Sequence, residues 1–383
     1  VPGPLGTIAQ ADGPGVGTPW VVSLGDSYIS GEAGRWAGNS NQSPSLVDAG
    51  GPAAYFDDPT RTVETIPGCH RSTAAEIFIG DGVNAANFAC SGARTSTYVA
   101  SDGSFKPGID FATVGGRQGQ ALMLQHFAAS NNVRMIVLSI GGNDFGFADV
   151  VTRCVTNFLT SPSWWPNYCY DDSAVSSNFT TTAATARTNA ILGAITNVRT
   201  AMTNAGYVAG SYTIVVQTYP SPIPRGSGFR YSQSGYTRQS TGGCGFWNRD
   251  ADWANDTALV RINGAVRSAA LAAGSGVIVL DVASSMNGRR LCESGVNLME
   301  RSGRANWTSP GASDTTEWIA QIRTVSTIFG PYQIQESIHP NHWGQLALRN
   351  CVRQVWNGGA PRGGTCLRGT GLNVRGEPNM TLA

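Results

Sequence analysis

The sequence predicts an α/β protein, a three-layer αβα sandwich around a central, mostly parallel five-stranded sheet with long loop insertions. Two observations carry this reading. Short apolar, β-branched runs alternate along the chain with longer segments whose apolar residues recur every three or four positions. The short runs are apolar throughout rather than at every second position, which marks strands buried on both faces, the habit of parallel sheets.

The first strand is read at 20–24, Trp20-Val21-Val22-Ser23-Leu24, and stops at Gly25. A second at 83–90 runs into Ser91-Gly92, and a third at 133–140 into Gly141-Gly142. Segments 212–218 and 277–282 complete the five. Helices are expected at 118–129, 186–204, 251–273 and 341–356. In the second of these, Ile191, Ala194, Ile195, Val198, Ala201 and Met202 form one apolar stripe, as a helix covering one face of a sheet requires. Asn341 is positioned to cap the last helix. The stretches 28–82, 145–185, 219–250 and 284–335 read as loop insertions, and no fixed repeat or linker divides the chain. The expected organisation is one domain over 19–357, an irregular segment at 1–18, and a Gly- and Pro-rich surface tail at 358–383.

Composition narrows the function classes. Only 13% of the 383 residues are charged and the formal net charge is +1, so the basic footprint of a nucleic-acid binder is absent. The apolar runs are far shorter than the roughly 18 residues of a membrane span, which points to a soluble protein. Eight cysteines, none in a C-x-x-C pair, read as four disulfides rather than a metal or redox site, and disulfides imply an oxidising, extracellular setting. Ala9-Gln10-Ala11 has the small-x-small pattern of a signal-peptidase site, so the first eleven residues are either residual leader or part of the irregular N-terminal segment. Of 26 basic residues only one, Lys106, is lysine.

Parallel sheets hold their sites at the carboxyl ends of the strands. Strand one ends in Gly25-Asp26-Ser27-Tyr28, strand two in Cys90-Ser91-Gly92-Ala93 and strand three in Gly141-Gly142-Asn143-Asp144, while Glu336-Ser337-Ile338-His339-Pro340-Asn341 opens the last helix. These four blocks, in this order, resemble the SGNH subgroup of the GDSL hydrolases, and the resemblance spans about residues 21–350. It implies a serine hydrolase that cleaves carboxylic esters through an acyl-enzyme. Ser27 would be the nucleophile and His339 the base. The main-chain N–H groups of Ser27 and Gly92, with the Asn143 amide, would form the oxyanion hole. No cofactor or metal is implied, and the chain lacks H-E-x-x-H or similar ligand spacing.

The residues support these assignments chemically. Acyl transfer needs a nucleophile, an adjacent base and donors aimed at the developing oxyanion. A residue without Cβ at 92 admits a substrate oxygen to the main chain, and a neutral amide at 143 stabilises charge without titrating. No G-x-S-x-G elbow occurs. Among the four histidines, His126 reads as an ordinary helix residue, His70 as a surface residue in a cysteine loop, and His342 as a first-turn neighbour of His339. Asp144 reads as a helix cap. Many members of the superfamily carry Asp three residues before the histidine; here the place holds Glu336. Either its carboxylate orients His339, as the third catalytic group, or a main-chain carbonyl does.

Members with three comparable disulfides are secreted actinobacterial lipases, esterases and phospholipases, and this likeness implies the pairs Cys69–Cys90, Cys154–Cys169 and Cys244–Cys292. Cys351–Cys366 would be an extra clip on the tail. A small-molecule or lipid ester is therefore the expected substrate and a secreted monomer the expected state, with Trp164 and Trp165 expected in the substrate pocket. A carbohydrate esterase or an acyltransferase would use the same residues. A secreted carbohydrate-binding module would share the tryptophans and disulfides but has no need of the four blocks.

Overall fold

The computed structural model describes residues 13–324 and 334–383; the expectation for the signal-peptidase pattern lies outside them. Five strands form where the apolar runs place them: β1 (Pro19–Gly25), β2 (Asn84–Asn87), β3 (Asn132–Ser139), β4 (Thr213–Gln217) and β5 (Val277–Asp281). They are parallel and lie in the order β5-β4-β3-β1-β2. Val21, Val22 and Leu24 of β1 and Met135 to Leu138 of β3 are fully buried, as strands covered on both faces must be. The chain runs outward from β1 to β2 and returns across it to β3. The order therefore reverses between β1 and β3, the switch point at which open α/β sheets leave a crevice.

Helices α1 (Gln120–Ala128), α3 (Thr181–Asn204) and α4 (Leu259–Ala273) pack side by side, and α5 (His342–Trp356) packs on the C-terminal strands. The apolar stripe expected on α3 is its buried face: Ile191, Ala194, Ile195, Val198, Ala201 and Met202. Just before α4 the chain is helical over Asn248–Trp253 and passes through a π-helical turn at Ala254–Ala258.

Two expectations are corrected. Residues 358–383 are not irregular: β6 (Gly364–Leu372) joins β5 in parallel, and β7 (Pro378–Leu382) folds back antiparallel on it, giving seven strands. The hairpin forms because the edge of β5 is open for pairing, and because Met380 and Leu382 find an apolar surface to bury against. Within the expected loop 145–185 lies a further helix, α2 (Phe147–Thr160), which buries Val150, Cys154, Val155 and Phe158. The four disulfides are Cys69–Cys90, Cys154–Cys169, Cys244–Cys292 and Cys351–Cys366, and no cysteine is free. No described helix is long and apolar enough to cross a membrane.

Candidate active site

Gly25 ends β1 at φ +140, and a Cβ there would lie 1.9 Å from the Ser139 carbonyl oxygen, so only glycine lets β1 and β3 approach this closely before the chain turns. Asp26 then caps a single helical turn, Ser27–Ser30, accepting from the Tyr28 N–H at 3.1 Å. This turn projects Ser27 from the strand end. The Asp26 carboxyl is buried and also accepts from the Tyr219 hydroxyl; burial pushes its pKa up to about 7 against these bonds.

His339 arrives from the far end of the chain, and its Nε2 stands 2.7 Å from Ser27 Oγ. Two bonds fix the meeting: the Tyr28 hydroxyl donates to the Ile338 carbonyl at 2.9 Å, and Ala320 N–H donates to the His339 carbonyl at 2.9 Å. Ile338 has φ +63, a costly conformation for a β-branched residue, directly before the histidine. Asn341 caps α5 as expected, accepting from Trp343 and Gly344 N–H. Burial lowers the His339 pKa below the usual 6.5, opposed by the charge of Glu32 and by the main-chain carbonyls of Ser337 and Glu336. Its Nδ1 makes no well-aligned hydrogen bond to a described residue.

The Glu336 carboxylate is engaged elsewhere. It is buried and accepts from Trp36 Nε1 at 2.9 Å and from the Tyr55 hydroxyl. Tyr55 in turn stacks on His70, ring centroids 4.5 Å apart. His70 is thus not a surface residue. It is buried, with Nδ1 2.6 Å from Glu32 and Nε2 3.4 Å from Glu64. Burial opposes its imidazolium form, but the bond and charge of Glu32 outweigh that and raise its pKa. His126 is exposed on α1, and His342 packs on Trp307 and Trp343.

Opposite His339 lie the expected oxyanion donors. Gly92 has φ +80, and neither its N–H nor that of Ser27 donates a hydrogen bond to any described residue. Asn143 donates one amide N–H to the Ala93 carbonyl at 2.9 Å, which leaves the other for a substrate oxygen. Asp144 does not cap a helix. It accepts from the N–H and hydroxyl of Thr95, tying the loop after β3 to the loop after β2.

Ser27, Gly92, Asn143 and His339 line a groove of about 880 Å³. One wall is apolar, from Phe147, Val151, Val155 and Leu159 of α2 with Ile322 and Ile338. The groove is also lined by Lys106, the single lysine, whose Nζ donates to the Gly68 carbonyl at 3.0 Å, and by Gln335. Neither residue carried a sequence signal beyond the rarity of lysine. Trp164 and Trp165 lie outside this lining and are 81% and 74% exposed. Helix α2 occupies the wall that they were expected to supply, and the loop tied by Cys154–Cys169 carries them outward. Cys154, Cys169 and Asp250 come within metal-ligand distance of one another, but both sulfurs are already joined in a disulfide, which disqualifies the group as a metal site.

Neither a protein-family model nor a curated protein matches the chain. Among solved structures it is similar to an extracellular lipase from Streptomyces rimosus, with 19% identity over 86% of this chain and 95% of the lipase, at a TM-score of 0.43. It is also similar to phospholipase A1 from Streptomyces albidoflavus NA297, with 21% identity over 89% and 99% of the two chains and a TM-score of 0.45. A carbohydrate acetylesterase from Sinorhizobium meliloti is 14% identical over 68% of this chain and 84% of its own, with a TM-score of 0.30.

Proposed function

We propose that the protein is a secreted serine hydrolase of carboxylic esters, acting on lipid or fatty-acyl esters. The observation that carries this reading is the 2.7 Å contact between Ser27 Oγ and His339 Nε2, opposite three donors left available for an oxyanion. Ser27 Oγ attacks the ester carbonyl carbon and passes its proton to His339 Nε2. The carbonyl oxygen takes the negative charge and is held by Ser27 N–H, Gly92 N–H and the Asn143 amide. The intermediate collapses, the carbon–oxygen bond to the alcohol breaks, and His339 returns the proton to the departing oxygen. Water, deprotonated by His339, then attacks the acyl carbon, the bond to Ser27 Oγ breaks, and His339 returns the proton to Oγ as the acid is released.

The lowered His339 pKa supports a neutral base at neutral pH. His339 is oriented by the main chain of its own loop, with Glu336 as the buried anchor that Trp36 and Tyr55 hold. Lipid esters are favoured because the groove joins an apolar wall to polar groups at Lys106 and Gln335, a surface suited to an amphiphile. The four disulfides support secretion. Ser27→Ala should lower the turnover of a chromogenic ester at least about a thousandfold with an unchanged circular dichroism spectrum, and a covalent serine probe should label the wild type alone. Substantial turnover by Ser27→Ala, or a preference for acetylated xylan over phospholipid and fatty-acyl esters, would overturn the reading.

A further inference from the structure

We propose that the acyl chain of the substrate is bound not in the wide groove but in a narrow apolar channel leading inward from Ser27 to the π-helical turn before α4. The groove then receives the alcohol part. This rests on the ester hydrolase reading above.

The direction follows from proton transfer. The departing oxygen must reach His339 Nε2, so the alcohol lies on the histidine side of Ser27, and the groove is the cavity that His339 lines. On the other side Ser27 and Asn143 border a second, smaller cavity, of about 30 Å³, that His339 does not line. It adjoins a third, of about 60 Å³, and the two share Phe147, Pro222, Leu259 and Ile262. Phe179, Phe246 and Ala258 line this third cavity and not the second.

Two features make this channel suited to a hydrocarbon chain. The polar side chains of the third cavity are already paired: Ser221 Oγ bonds to Asn255 Oδ1 at 2.6 Å and to the Ile223 carbonyl, and Asn255 Nδ2 donates to the Ala251 carbonyl at 2.9 Å. A void lined this way offers water no partners and stays dry. The wall is also irregular by construction, since Ala254, Asn255 and Ala258 belong to the π-helical turn. Such turns are rare and recur at functional sites, and a closely packed interior does not otherwise leave an apolar void beside a reactive group. The small volume fits a short or medium acyl chain and excludes a long fully extended one.

The test is the acyl-length profile of 4-nitrophenyl acetate, butyrate, octanoate and palmitate. Ala258→Phe fills the third cavity, which Ser27 does not line, and should lower kcat/KM for octanoate at least about tenfold while leaving acetate within about twofold. Val150→Ala, which widens the channel without adding bulk, should shift the optimum toward longer chains. Thr152→Trp, on the groove wall, should alter preference among alcohols and leave the acyl profile in place. Parallel loss on all four esters with Ala258→Phe, or an acyl profile moved by Thr152→Trp and unmoved by the two channel variants, would overturn the channel. Failure of the wild type to hydrolyse any of them would instead refute the ester hydrolase reading.

Discussion

At residue 336 the proposed mechanism gives the side chain and the main chain separate roles. The carboxylate is held by Trp36 and Tyr55, whereas on the proposed reading the carbonyl belongs to the loop that orients the imidazole. Glu336→Gln should therefore retain activity within about tenfold, while His339→Ala is inactive. Because burial lowers the His339 pKa and only its neutral form accepts a proton, kcat/KM should fall as pH drops through a midpoint below 6.5, and Glu336→Gln should leave that midpoint in place. A midpoint above 6.5, or loss of several orders of magnitude in a folded Glu336→Gln, would restore the carboxylate to a catalytic role. Asn143→Ala should reduce kcat by about a hundredfold to a thousandfold with little change in KM, the effect of one lost oxyanion donor; a change confined to KM would make Asn143 a binding residue. That Ser27, Gly92, Asn143 and His339 meet at one groove was legible because each sits in a short block at a strand or helix end and the histidines are few. Glu336 and His70 were not, because their surroundings come from Trp36, Tyr55, Glu32 and Glu64, brought near only by the fold.

The elements that escaped the sequence reading share a cause. Helix α2 is rich in Val and Thr, weak helix formers, and begins after Gly146 with φ +76 and no side-chain cap. The C-terminal hairpin is interrupted by Gly364, Gly369, Gly371 and Gly376, which hide a strand pattern. Strands β1 to β5 had no such interruption and were read to within a few residues. The hairpin's position sets its contribution. It lies four strands from β1 in the order β7-β6-β5-β4-β3-β1-β2, so the Cys351–Cys366 clip should matter for stability and not for chemistry. Replacing both cysteines by serine should lower unfolding free energy by about 3 kcal/mol, the chain-entropy value for a loop of this length. Urea denaturation checks this, and kcat/KM at a permissive temperature should be unchanged. A specific loss of turnover without a loss of stability would contradict it.

On the scale of the molecule, the exposed Trp164–Trp165 pair stands beyond the helix that forms the apolar wall of the groove. Adjacent tryptophans this exposed suit a boundary that is wet on one side and apolar on the other. Replacing both with alanine should lower the rate on phospholipid vesicles about tenfold, about 1.4 kcal/mol, and leave a monomeric short-chain ester unaffected. Equal effects on both substrates would place the pair in the chemistry of the site instead, and a selective loss on a soluble polysaccharide ester would favour sugar stacking.

Ser27 and His339 are separated by 312 positions, and their contact depends on the Tyr28 hydroxyl reaching the Ile338 carbonyl. During synthesis Ser27 is made 312 positions before His339. In the proposed mechanism a chain made only as far as β5 therefore carries Ser27 without the base that would activate it. On that reading the serine gains its base only once β1 to β5 have been made and α5 has docked.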